Sequence, residues 1–173
     1  LLAYIGISGC SIHHDYSWEE HRIDAAALNL PALTSKSQNR SIRVTSGKTD
    51  NTKITVSHTA QTAHYWDSSL QYISDKLVTQ ITNELQRRNY TTESVSKWAE
   101  VRVVDYDLHN QVNGNYHYLS TIEVRLGNGK IINVDSRIIG HNYRPATAVD
   151  YVIAQAAVDI LNNNELLSYL NNE

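Results

Sequence analysis

The 173-residue sequence has no phenylalanine, no methionine and one cysteine, Cys10. A single cysteine excludes an intrachain disulfide, and one thiolate cannot build a cysteine-ligated zinc site. An excess of either charge is also missing. Fifteen Lys and Arg stand against 18 Asp and Glu, a net charge of -3. That balance argues against a nucleic-acid binder, which usually carries a basic surplus or stripe. Beyond the first residues, no segment approaches the roughly 18 consecutive apolar residues of a membrane-spanning helix. What remains is ordinary: 41% hydrophobic and 19% charged residues, with eleven tyrosines. The length fits one globular domain with tails and a core of its own.

The strongest periodic stretch runs from Asp67 to Asn89. Leu70, Ile73, Leu77, Ile81 and Leu85 recur at steps of three and four, with Val78 beside them. This spacing predicts one apolar stripe on an α-helix. Asp67 or Ser68 is expected to cap its start, and Arg87 and Arg88 suit the last turn, where the helix dipole favours cations. Ser74, Gln80 and Glu84 are assigned to the wet face.

Strands surround this helix. Ser41 to Thr45 and Lys53 to His58 alternate, and read as two short strands or one long hairpin. Ala60 to Trp66 is expected to be a link. Trp98 to His109 changes its apolar parity, which implies a bulge near Val103 or burial on both faces. Asn113-Gly114 suits a type I′ hairpin turn. Tyr116 to Leu126 then alternates cleanly, Gly127-Asn128-Gly129 makes a second tight turn, and Lys130 to Gly140 is a third strand. After Pro145, Thr147-x-x-Asp150 resembles a capping box ahead of a second stripe, Val149, Val152, Ile153, Ala156, Ile160 and Leu161. Leu166, Leu167 and Leu170 mark a last short helix. The expected order is β-β-α-β-β-β-α-α. The expected fold is α+β: an antiparallel sheet, made of a three-stranded meander plus N-terminal strands, with two main helices on one face.

At the start, Leu1 to Gly9 is apolar or small. Ile7-Ser8-Gly9-Cys10 resembles the lipobox of bacterial lipoproteins. Residues 1–10 are then a truncated signal peptide, residues 11–39 a flexible tether, and residues 40–173 a single α+β domain. The lipobox resemblance implies diacylation of Cys10 and anchoring without a span. Ser11, in place of the aspartate that tends to retain such proteins in the inner membrane, implies the periplasmic face of the outer membrane.

With that lipobox and that order, the chain resembles the YajG family of bacterial lipoproteins. Leu85 to Tyr90, Gly114-Asn115-Tyr116, Gly127 to Lys130 and the closing helix from Ala148 to Leu161 carry the likeness. More distantly it is similar to periplasmic accessory lipoproteins such as the penicillin-binding-protein activator LpoB and the secretion protein CsgG. The resemblance implies a cell-envelope location and no known catalytic residue.

The residues themselves demand no reaction. Gly47-Lys48-Thr49 matches the end of a P-loop, but Ile42 stands where the first glycine belongs. Ser94-x-x-Lys97 has the spacing of penicillin-recognising enzymes, but lies in a polar loop without its partner motifs. His13, His14 and His21 read as a solvated tail before they read as ligands of zinc, copper or nickel. Asp105 and Asp107 share a strand face. His109, His117 and His141 lack a nucleophile to serve. The expectation is a non-catalytic binding or scaffolding lipoprotein without metal or cofactor, bound to the membrane by its anchor and to a protein partner. The alternatives are an accessory subunit of an envelope machine and a periplasmic small-ligand or lipid carrier. The partner surface is expected at the meander parity opposite the core: His117, Leu119, Thr121, Glu123 and Arg125. Self-association is expected at an edge strand, Ile54 to His58.

Overall fold

The computed structural model describes residues 11–30, 41–59, 63–93, 97–110, 115–141 and 145–171. Cys10, Ser94 and the Asn113-Gly114 turn lie outside them. The order is β1 (Ile12–Asp15), a 3-10 turn over Ala25–Ala27, β2 (Arg43–Ser46), β3 (Ile54–His58), β4 (His64–Ser68), α1 (Leu70–Arg87), β5 (Trp98–Asn110), β6 (Asn115–Leu126), β7 (Ile131–His141), α2 (Pro145–Leu161) and α3 (Asn164–Asn171). The fold is α+β, as its periodicities predict.

There are two sheets. The larger runs β2-β5-β6-β7 and the smaller β1-β4-β3. The meander β5-β6-β7 is antiparallel, with Val101 opposite Val124 and Val124 opposite Ile132. The expected bulge is present: the β5–β6 register shifts between Val103 and Asp105, leaving Val104 extra and exposed. Gly129 takes φ +85 in the β6–β7 turn, a conformation that favours glycine. β2 and β3 are separate strands, not a hairpin. β2 joins β5 in parallel, and β3 pairs antiparallel with β4.

α1 and α2 pack on the same face of the large sheet. Their stripes meet Ala99, Val101, Val103, Ile122, Val124, Leu126, Ile132 and Val134 in one buried core. The small sheet closes the far end of that face. There the Tyr106 hydroxyl donates to the Val56 carbonyl at 2.9 Å, and Tyr118 and Ser57 hydroxyls lie 3.1 Å apart.

Five local expectations are corrected. Ser69, not Asp67 or Ser68, caps α1, its Oγ accepting the Tyr72 N–H. The other two sit in β4, which replaces the expected link. Thr147 is no cap, because Pro145 already opens α2; a first-turn proline has no N–H to waste. Ser74, Gln80 and Glu84 are fully buried rather than wet. α1 is covered on two sides, by the sheet and by the segment after β1. That segment is the fifth correction. Residues 12–30, expected to be tether, form β1 and then strap the helices, burying Tyr16, Ile23, Leu28 and Leu30. Gln80 and Glu84 of α1, assigned to water, face this strap instead.

Candidate functional site

The strap is held by side chains that satisfy its backbone. Gln80 Nε2 donates to the His21 carbonyl at 2.9 Å, and the Ile23 N–H donates to Glu84 Oε1 at 3.2 Å. Asn162 donates to the Ala27 carbonyl and accepts the Asn29 N–H. The Tyr16 hydroxyl donates to Asp150 Oδ1, which also accepts the Glu19 N–H. Burial drives the Tyr16 phenol far above its usual range, and the facing Asp150 adds to that. Burial also pushes the Asp150 carboxyl up, against the pull of its two donors. Glu84 is the hub. Its carboxylate meets Arg87 at 2.5 Å and Arg88 at 2.7 Å, while Arg87 also pairs with Glu20. A groove of about 460 Å³ lies here, lined by Arg22, Asp24 and this cluster. Its charges are largely matched within the protein.

A second groove, about 310 Å³, opens where α1 begins, between Asp15, Asn51, Lys53, Asp67, Ser68 and Tyr72. Asp67 is nearly buried. Burial raises its pKa, but hydrogen bonds from His13 at 2.7 Å and Thr55 at 2.9 Å, with the Lys53 charge, hold it below the usual carboxylate range. Histidines crowd the small sheet above. His14 Nε2 and His64 Nδ1 are 2.8 Å apart, and their rings are nearly parallel with centroids 5.1 Å apart. Those two lengths place the rings edge to edge along one N–H···N bond. They do not converge on a shared ion. His13 instead turns to Asp67 and lies parallel to Tyr65, and His21 packs on Tyr151. The three N-terminal histidines are not brought together. Among the described residues, no three His, Cys, Asp or Glu side chains are placed to hold a metal.

The remaining surface is the meander face opposite the helices. The alternation of β6 places His117, Leu119, Thr121, Glu123 and Arg125 on that side. Neighbouring strands knit them together. Glu123 meets Arg102 at 2.9 Å and Arg125 at 3.8 Å. Thr121 donates to Asp135 at 3.0 Å. Arg137 donates to His117 Nδ1 at 2.6 Å, which puts this imidazole under a guanidinium and leaves it only 9% exposed. His109 pairs with Asp107 at 2.7 Å. Ile131 and Ile139 stand on the same face at 50% and 55% exposure. This is a broad, charge-patterned plane with apolar points. Of the Ser-x-x-Lys pair, Lys97 donates to the Leu170 carbonyl at 3.0 Å. Sequence reasoning missed the buried Glu84, though it falls in step with Leu77 on the apolar stripe, and missed Asp67 and Arg137, which only non-local pairing brings into play.

No protein-family model matches the sequence, and no curated protein matches it. Solved structures do. Protein XCC0632 from Xanthomonas campestris, described as a DUF330 protein, superposes with a TM-score of 0.53 at 9% identity, over 91% of this chain and 96% of that one. An uncharacterized protein superposes with a TM-score of 0.48 at 11% identity, over 87% and 96%. The first likeness shows a shared fold; the second is too distant to add to it.

Proposed function

We propose that this chain is a non-catalytic binding component of the bacterial cell envelope, a YajG-type lipoprotein anchored through acylated Cys10 to the periplasmic face of the outer membrane. The observation that carries the reading is the meander face. Both long helices lie on one side of the large sheet, and the other side presents Leu119, Thr121, Glu123 and Arg125 between two exposed isoleucines, with His117 covered by Arg137. The Ile7-Ser8-Gly9-Cys10 motif supports the anchor. Acylation with two or more chains gives stable membrane attachment, at about 0.8 kcal/mol per buried CH₂.

Patterned charge of this kind favours a defined protein partner, so the chain also reads as an accessory subunit of an envelope machine, serving peptidoglycan synthesis or secretion. A lipid carrier is less favoured. The apolar space between sheet and helices, lined by Ile42, Ile81, Leu85, Val124, Leu161 and Leu170, amounts to about 10 Å³, about the volume needed to admit one water.

Two measurements test the reading. A photo-crosslinker placed at Thr121 or Arg125 in the full-length protein in cells traps one defined partner, and Glu123→Lys abolishes the adduct; diffuse labelling overturns the contact surface. Cys10→Ala moves the protein from the membrane to the soluble fraction; a wild type already recovered there overturns the anchor.

A further inference from the structure

The strand β7 closes one edge of the large sheet, and among the described residues nothing pairs with its outer side. It spans 11 residues, where the other edge strands span four or five. Natural edges of this length are usually blunted by charged side chains, lysine above all, by proline or by a bulge. β7 has no lysine or proline, its register with β6 runs unbroken, and its two charges, Asp135 and Arg137, are of opposite sign.

Its free hydrogen-bonding groups can be assigned. The Leu126 N–H donates to the Lys130 carbonyl at 2.8 Å, so Lys130 faces β6. Alternation then turns Ile132, Val134, Ser136 and Ile138 toward β6, and leaves the N–H and C=O of Ile131, Asn133, Asp135, Arg137 and Ile139 pointing outward. The midpoint of the strand is Ser136. An antiparallel pairing of β7 with a second β7 about that midpoint sets Asp135 opposite Arg137 of the other copy, twice by symmetry. Both side chains are exposed on the meander face. Asn133 falls opposite Ile139. The outward N–H and C=O groups then meet their counterparts in about a dozen backbone hydrogen bonds. Centring the pairing on Asp135 or on Arg137 instead sets like charges face to face, which disfavours those registers.

The geometry points to a second copy of this chain as the partner of the β7 edge, joined antiparallel about Ser136 into one continuous eight-stranded sheet. This surface is the edge, not the face assigned to a partner above. The two-fold axis stands perpendicular to the sheet, so both meander faces end on the same side and form one doubled plane.

Sedimentation velocity of the full-length protein over a concentration series tests the pairing. Wild type forms a dimer. Arg137→Asp opposes two aspartates and weakens association about tenfold or more. The double swap Asp135→Arg with Arg137→Asp restores it, because the opposition of charges is regained. Asn133→Pro removes an outward N–H that β6 does not use, so circular dichroism stays native while the dimer is lost. A wild type that stays monomeric to about 100 µM, a dimer that survives Asn133→Pro with its fold intact, or a swap that fails to rescue a folded protein overturns it. So does capture of an unrelated extended strand at β7 with the self-association absent.

Discussion

The Ser74 hydroxyl of α1 accepts the Val103 N–H of β5 at 2.8 Å, and donates its own O–H to the Leu70 carbonyl at 2.8 Å. The pairing marks where β2 leaves the sheet. The Gly47 N–H still reaches the Val101 carbonyl. Two residues on, among the described residues no strand faces Val103 on the β2 side. Ser74 takes its N–H, and the Thr49 hydroxyl donates to its carbonyl at 3.0 Å. A helix serine thus completes a strand ladder. Ser74→Ala leaves a buried amide unsatisfied and is expected to cost about 1–3 kcal/mol. Urea denaturation measures the loss, and hydrogen exchange should show the Val103 amide opening faster than its neighbours.

Glu84 binds the strap to α1 through the Ile23 N–H while neutralising Arg87 and Arg88. Removing the carboxylate leaves Arg87 with Glu20 alone, Arg88 with the Glu84 backbone carbonyl alone, and one backbone donor without an acceptor. Glu84→Ala is expected to cost about 1–3 kcal/mol, and Glu84→Gln, which keeps an acceptor for Ile23, clearly less. The local consequence is sharper. Trypsin needs an extended, detached segment around Arg22. Cleavage after Arg22 is expected to be slow in the wild type and rapid in Glu84→Ala. Equal rates would mean that the segment before residue 30 moves as a free tether after all.

What was legible in the sequence follows from how locally each feature is encoded. The α1 stripe and the β6 alternation repeat within a single element, and Gly127-Asn128-Gly129 marks its turn by itself. The same alternation sets Thr121, Glu123 and Arg125 on the side of β6 away from the helices. β1 and β4 were illegible because Ile12–Asp15 and His64–Ser68 are rich in polar and aromatic residues, with no apolar period. Their order comes from parallel pairing, Ile12 to His64 through Asp15 to Asp67, and from ring contacts such as His13 on Tyr65. Glu84 and Gln80 look like solvent-facing residues until the strap is laid over them. Nothing in α1 alone says that a chain segment some sixty residues away will supply a covering backbone.

Two buried phenols make the protein sensitive to alkali. Tyr16 is raised far above its ordinary range by burial and by Asp150, and Tyr106 by burial and then by Tyr118. A folded-state pKa above the unfolded value means that the folded state holds the proton longer. The stability these groups contribute is present below about pH 10 and falls as pH rises beyond it, because only the unfolded chain ionises there. The slope is about 1.4 kcal/mol per pH unit for each phenol. Chemical denaturation between pH 9 and 12, roughly spanning tyrosine titration, checks this. Tyr16→Phe and Tyr106→Phe should each remove one phenol's share of the slope, whatever they cost at neutral pH.

The β6–β7 turn holds two glycines for different reasons, and alanine separates them. At Gly129, φ is +85 and a Cβ would meet nothing within 4 Å, so only backbone strain opposes a side chain. Gly129→Ala is expected to cost about 1 kcal/mol. At Gly127, a Cβ would stand 2.6 Å from the Tyr169 hydroxyl and 2.9 Å from Trp98 Nε1. That hydroxyl is fixed, since it accepts the Trp98 N–H at 3.2 Å and ties α3 to the start of β5. Gly127→Ala must push α3 away, at about 1–3 kcal/mol. Adding Tyr169→Phe deletes the blocking oxygen. It should therefore recover part of the loss in the Gly127→Ala background while destabilising the wild type, and it should do nothing for Gly129→Ala. Equal effects of Tyr169→Phe in all three backgrounds, read from thermal denaturation, would detach α3 from the turn.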